Sequence, residues 1–139
     1  MSDTEDHPSL TILVIDDSIT IRRSADLFLR QAGHQVMLAE DGFDALAALA
    51  AVDCPRPDLI FCDILMPGLD GFQTCALVKK NARFHATPVI MLSSKDGLFD
   101  RARAELVGAG AFMTKPFSEQ GLKNAVNTYA KARQTVLES

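Results

Sequence analysis

The sequence predicts a doubly wound α/β fold: five parallel strands, each followed by a helix, with helices covering both faces of the sheet in a three-layer (βα)5 arrangement. Three observations predict it. Short apolar runs rich in β-branched residues alternate five times with stretches of helical periodicity. The connections are too long for hairpins, so consecutive strands are joined by right-handed crossovers and lie parallel. The runs are continuously apolar rather than alternating, as strands buried on both faces are.

Each element has its own signal. Residues 10–15 (LTILVI) read as the first strand. Ser18 then caps a helix in which Ile21, Ala25, Phe28, Leu29 and Ala32 recur at helical spacing before Gly33 closes it. The second unit is a strand over 35–39 and a helix over 43–51, and the third a strand over 58–62 and a helix over 71–82. In the fourth, PVIML at 88–92 is a strand and 98–107 a helix. A short strand at 111–114 and a helix over 118–133 complete the pattern, with Ser118 as cap and Glu119 in the first turn.

A chain of 139 residues with 47% apolar and 23% charged residues suits one hydrophobic core. The domain is expected over 10–133, between an acidic tail at 1–9 and a short tail at 134–139. A formal charge of −4, with scattered lysines and arginines, offers no basic field for nucleic acid. The longest apolar runs, 10–15 and 88–92, fall far short of the roughly 20 residues of a membrane span, and the polar start MSDTEDHPS is no signal peptide. A cytoplasmic monomer without membrane insertion is expected. Cys54, Cys62 and Cys75 lack CxxC spacing and read as reduced structural thiols. Met37, Met66, Met91 and Met113 read as core or site-edge residues, and His7, His34 and His85 as dispersed surface or loop histidines.

In an open parallel sheet the functional crevice lies beyond the carboxyl ends of the strands. Asp16 and Asp17 follow the first strand, Asp63 the third, Ser93 and Ser94 the fourth, and Lys115 and Pro116 the fifth; Glu40 and Asp41 follow the second. Seen alone, each of these reads as a cap, a turn residue or a solvated lysine. Their joint placement on strand ends points to a site.

Three neighbouring carboxylates repel unless a positive charge neutralises them. A hard divalent cation does so, and Mg²⁺, which takes oxygen ligands and leaves positions open for phosphate, matches a site with no histidine or thiolate. Lys115 adds a compact ammonium suited to a phosphate oxygen. A carboxylate beside the metal and the lysine can act as a nucleophile towards phosphorus, giving an aspartyl phosphate. Ser93 has no histidine base and fits better as a donor to the attached phosphate.

The segments VIDDS (14–18), DILMPGLDG (63–71), PVIMLSS (88–94) and FMTKPF (112–117) resemble, in this order, the motifs of the receiver domain of two-component response regulators, the CheY-like superfamily with its flavodoxin-like fold. The resemblance implies Asp63 as phosphoacceptor, Asp16 and Asp17 as the Mg²⁺-binding acidic pair, and the main-chain carbonyl of Leu65 as a further metal ligand. It likewise implies that Ser93 and Lys115 contact the phosphate, that Phe112 is the aromatic switch residue, and that the Lys115–Pro116 peptide is cis. A histidine kinase would be the phosphodonor. A downstream protein would dock on the face made by the fourth helix, fifth strand and fifth helix. Leu65 and Lys95, each two positions beyond a site residue, would flank the phosphate.

The runs DDSITIRRSA, DGFDALA, LDGFQTCALVK and TPVIMLSSKDGLFDRA resemble the single-domain regulators of the chemosensory system that controls type IV pili and twitching motility. A chemotaxis-type regulator of flagella and a phosphorelay intermediate are the alternatives. Such a protein takes part in its own phosphorylation and dephosphorylation and is not otherwise an enzyme. An Mg²⁺-dependent phosphohydrolase would want an acidic residue where Leu65 stands. A receiver-like binding module without phosphorylation disagrees with the full set Asp16, Asp17, Asp63, Ser93 and Lys115. A DNA-binding regulator would need a helix-turn-helix, for which no segment is seen. Arg22 and Arg23 read as a solvated helix face that is available to a kinase.

Overall fold

A computed structural model describes residues 9–94 and 98–138. Its elements are β1 (Thr11–Ile15), α1 (Ile19–Gln31), β2 (Gln35–Ala39), α2 (Gly42–Ala50), β3 (Leu59–Asp63), α3 (Gly71–Lys80), β4 (Val89–Ser93), α4 (Leu98–Leu106), β5 (Ala111–Thr114) and α5 (Glu119–Glu138). All strands pair in parallel in the order β2-β1-β3-β4-β5. The chain winds outward to β2 and then returns past β1 to β3, so the order reverses between β1 and β3. That reversal opens a crevice at their carboxyl ends.

Alternation along the strands divides the core into two layers. Leu13, Ile15, Ile60, Cys62 and Met91 pack with residues of α2, α3 and α4. Ile12, Val14, Leu59, Phe61, Ile90 and Leu92 pack with α1 and α5. The helix starts follow the local chemistry. The Ser18 hydroxyl accepts a hydrogen bond from Ile21 N–H, Asp41 caps α2, and Asp70 forms a reciprocal capping box with Gln73. Ser118 caps α5 by accepting from Gly121 N–H at 2.9 Å. Gly33, at φ +94°, ends α1 in a conformation that a side chain would strain.

Several boundaries differ from expectation, each for a local reason. β3 starts at Leu59 because Asp58 is used otherwise: its carboxylate accepts from Thr11 N–H at 2.8 Å. The strand therefore includes Asp63 as its last residue. α3 stops at Lys80, since Asn81 is already extended. α5 continues to Glu138 rather than ending at Arg133, because no glycine or proline interrupts residues 134–138 and Gln134, Leu137 and Glu138 favour helix enough to carry Thr135 and Val136. Most of the expected C-terminal tail is thus helical.

The reading of His34 as a surface or loop histidine also needs correction. It lies in the α1–β2 connection but is buried, and its Nδ1 accepts from Leu10 N–H at 3.1 Å, tying the entry of β1 to the end of α1. Cys62 and Cys75 are buried free thiols held above the ordinary thiol range, chiefly by burial, in keeping with a structural part. No helix among the described residues is long and apolar enough to cross a membrane.

Candidate functional site

Strand register builds the site. Ile15 pairs with Cys62, so the next residues along, Asp16 and Asp63, stand side by side at the ends of β1 and β3. Asp63 itself pairs with Leu92, and Ser93 with Thr114, which brings β4 and the start of the β5–α5 connection to the same rim. Lys115 N–H donates to the Ser93 carbonyl at 2.7 Å, fixing where its side chain departs. The Lys115–Pro116 peptide is cis, as expected.

The ammonium of Lys115 reaches Asp16 Oδ2 at 3.1 Å and Asp63 Oδ1 at 3.0 Å. Asp16 is fully buried and both its oxygens are engaged, since Oδ1 accepts from Ser18 N–H at 2.9 Å. Asp17 is exposed at the rim. One carboxylate oxygen from each of Asp16, Asp17 and Asp63 can be drawn from a group lying within 4.8 Å.

The electrostatic balance follows. Burial pushes the Asp63 carboxyl up from 3.8 to about 6, with the Asp16 charge and a hydrogen bond from protonated Asp63 to Asp17 adding to the rise and Lys115 opposing it. For Lys115, burial disfavours the charge, but hydrogen bonds to Asp63 and Asp16 outweigh it and leave the ammonium raised. The crevice above these groups is lined by Asp17, Asp63, Leu65, Ser93 and Lys115 among others. Ser93 is buried at its edge, and Leu65 is 73% exposed.

Residues 12–127 match the response regulator receiver domain family. The chain belongs to that family. The receiver is 54% identical over 120 residues to Protein PilG of Pseudomonas aeruginosa, covering 86% of this chain and 87% of that protein. It is 40% identical to Protein PilH of the same organism, over 84% of this chain and 93% of the other. Among solved structures, the chemotaxis protein CheY4 of Vibrio cholerae superposes with a TM-score of 0.81 at 32% identity, over 88% of this chain and 99% of that one. The receiver is therefore a response regulator, of a family that takes phosphate from histidine kinases and signals to downstream proteins.

The expected site residues of this receiver fall into two groups. Asp16, Asp17, Asp63, Ser93, Lys115 and Leu65 meet at the crevice. Phe112 lies apart on β5, half-buried against the α2–α3–α4 core layer. It pairs in register with Met91, two residues before Ser93, so Phe112 and Ser93 share one face of the sheet. The Arg101 guanidinium stands 5.3 Å from its ring centre. Lys95 lies outside the described residues.

Other site residues carried no signal in the sequence. Arg22, read as part of a solvated face, instead donates from Nη1 to the Asp16 carbonyl at 2.7 Å and braces the β1–α1 turn. Asp70, Phe72 and Arg103 line the crevice. Asp70 has a capping signature that marks it as structural, and the other two reach the site only through tertiary packing.

Proposed function

We propose that this receiver accepts a phosphoryl group on Asp63 from a chemosensory histidine kinase and signals by phosphorylation-dependent protein binding. The observation that carries the reading is the convergence of Asp63 with Asp16, Asp17 and Lys115 at the β1–β3 switch point. A carboxylate that holds its proton up to about pH 6 is ionised at neutral pH and available for attack. An Asp63 oxygen forms the new bond to phosphorus while the phosphorus–nitrogen bond of the phosphohistidine breaks, its electron pair returning to the imidazole nitrogen.

The donor set suits Mg²⁺: all three side chains offer hard oxygens, and one faces solvent where water can complete the shell. Bound by Asp16, Asp17, Asp63 and the Leu65 carbonyl, Mg²⁺ would neutralise charge on the phosphoryl oxygens. Lys115 moves from its carboxylate partners to a phosphoryl oxygen, and the Ser93 hydroxyl donates to another. Phe112, on the same sheet face as Ser93, repacks as that edge draws inward. The α4–β5–α5 face thereby changes shape and presents the signal to its target. The chain is in this reading a phosphoacceptor rather than a turnover enzyme.

Incubation with acetyl phosphate and Mg²⁺ is expected to add one phosphoryl mass to the wild type and none to Asp63→Asn or to protein held in chelator. No adduct on the wild type, where a control receiver is labelled, would return the pocket to a phosphorylation-independent binding role.

Output through type IV pili is supported by the resemblance in sequence and by the 54% identity with PilG. A second reading, control of swimming, draws on the likeness to the Vibrio cholerae chemotaxis protein. Deleting the gene is expected to abolish surface twitching and spare swimming; normal twitching with lost swimming would reverse the choice.

A further inference from the structure

The chemistry proposed above brings a doubly negative phosphoryl group into a crevice already lined by Asp17, Asp63 and Asp70. Lys115 enters that encounter with its charge shared between Asp16 and Asp63. A second cation faces the same crevice from the helical layer on the β4 side. Arg103 of α4 lines it together with Phe72 of α3, and its guanidinium carbon stands 4.2 Å from the Phe72 ring centre. Among the described residues no carboxylate pairs with it.

Phe72 is 3% exposed and packed into the core, so its ring is a fixed platform. A guanidinium stacked on an aromatic face is weakly hydrated and keeps its N–H donors directed outward in its own plane, the geometry that suits phosphate oxygens. Among the described residues, the stack therefore leaves Arg103's charge and hydrogen-bonding capacity uncommitted at the mouth of an acidic pocket.

We propose that Arg103, perched on Phe72, is a phosphate-binding residue of this site: it donates to the phosphoryl oxygens of the incoming donor and of the aspartyl phosphate, from the side opposite Asp16 and Asp17. The inference rests on the reading of Asp63 as phosphoacceptor. In transfer from acetyl phosphate, an Asp63 oxygen bonds to phosphorus as the bond from phosphorus to the acetyl oxygen breaks, and the electron pair leaves on acetate. Arg103 forms no covalent bond and gives up no proton. Because its contact exists before and during transfer, its loss weakens donor binding more than it slows the bound complex.

The test is the acetyl phosphate dependence of Asp63 labelling with Mg²⁺ in wild type, Arg103→Ala, Arg103→Gln and Arg103→Lys. Removing the guanidinium is expected to raise the half-saturating donor concentration about tenfold or more. The maximal rate should change far less, Arg103→Lys should recover part of the loss, and melting temperatures should stay near wild type. Labelled wild type with unchanged half-saturation in both neutral variants would overturn the role of Arg103 and leave Asp63 as acceptor. Failure to label the wild type would remove the acceptor reading and this inference with it.

Discussion

Gly71→Ala is expected to lower the melting temperature by on the order of 10 °C, a loss of at least about 3 kcal/mol. Gly71 opens α3 directly beneath the end of β3, and its N–H donates to the Ile64 carbonyl at 2.8 Å. A methyl group there would run into the Asp63 carbonyl oxygen and lie 2.8 Å from Ile64 Cα. Both obstacles are backbone at the carboxyl end of a central strand, so neither can swing aside. Alanine is otherwise the better helix residue, and any loss must come from the clash. Gly33→Ala supplies the comparison, because it meets open space and is strained only by its φ of +94°, at about 1–2 kcal/mol. Thermal melts of the two variants decide the matter: Gly71→Ala no worse than Gly33→Ala would mean that α3 can back away from β3. Since the same displacement moves Asp63, labelling by acetyl phosphate should slow as well.

The parts of the fold that the sequence made legible are those encoded locally. β2 and β5 have their expected bounds because both are short apolar runs set off by polar or glycine residues. The end of α1 was legible through Gly33. Asp16, Asp17, Asp63, Ser93 and Lys115 could be collected in advance because each follows or ends a strand, and a parallel sheet gathers those ends along one edge. Contacts between distant segments were not legible. The one-residue shift of β3 comes from an Asp58 carboxylate that bonds Thr11, 47 positions away. His34 looked unattached because its partner, Leu10, lies 24 positions away at the entry of β1. Arg103 and Phe72 gave no signal for the same reason: one turn of α4 and one of α3 define a cation on a ring only after both helices pack on the sheet.

Asp63→Asn should raise the stability of the metal-free protein at pH 7.5, by up to about 3 kcal/mol, even as it removes the proposed acceptor. The unfolded carboxyl titrates near 3.8 and the folded one at about 6. The folded state therefore binds the proton more tightly, and the penalty for ionising Asp63 develops as pH rises from about 4 through 6 and is complete above. The variant's advantage should accordingly be largest above pH 6 and vanish below about pH 4, where both states of the wild type are protonated. The amide keeps an oxygen for Lys115 and removes the repulsion with Asp16 and Asp17. Mg²⁺ relieves the same repulsion by another route: at a hundredfold excess over its dissociation constant a ligand adds about 2.7 kcal/mol. The two effects should therefore fail to add, with Mg²⁺ raising the melting temperature of the wild type well and that of Asp63→Asn little. Melts at pH 4, 6 and 7.5 with chelator or Mg²⁺ test both halves. If Asp63→Asn melts below the wild type at pH 7.5 in chelator, the ion pair from Lys115 outweighs the crowding of carboxylates. In that case the acidic trio is held together by its own lysine and has no need of a metal to stabilise it.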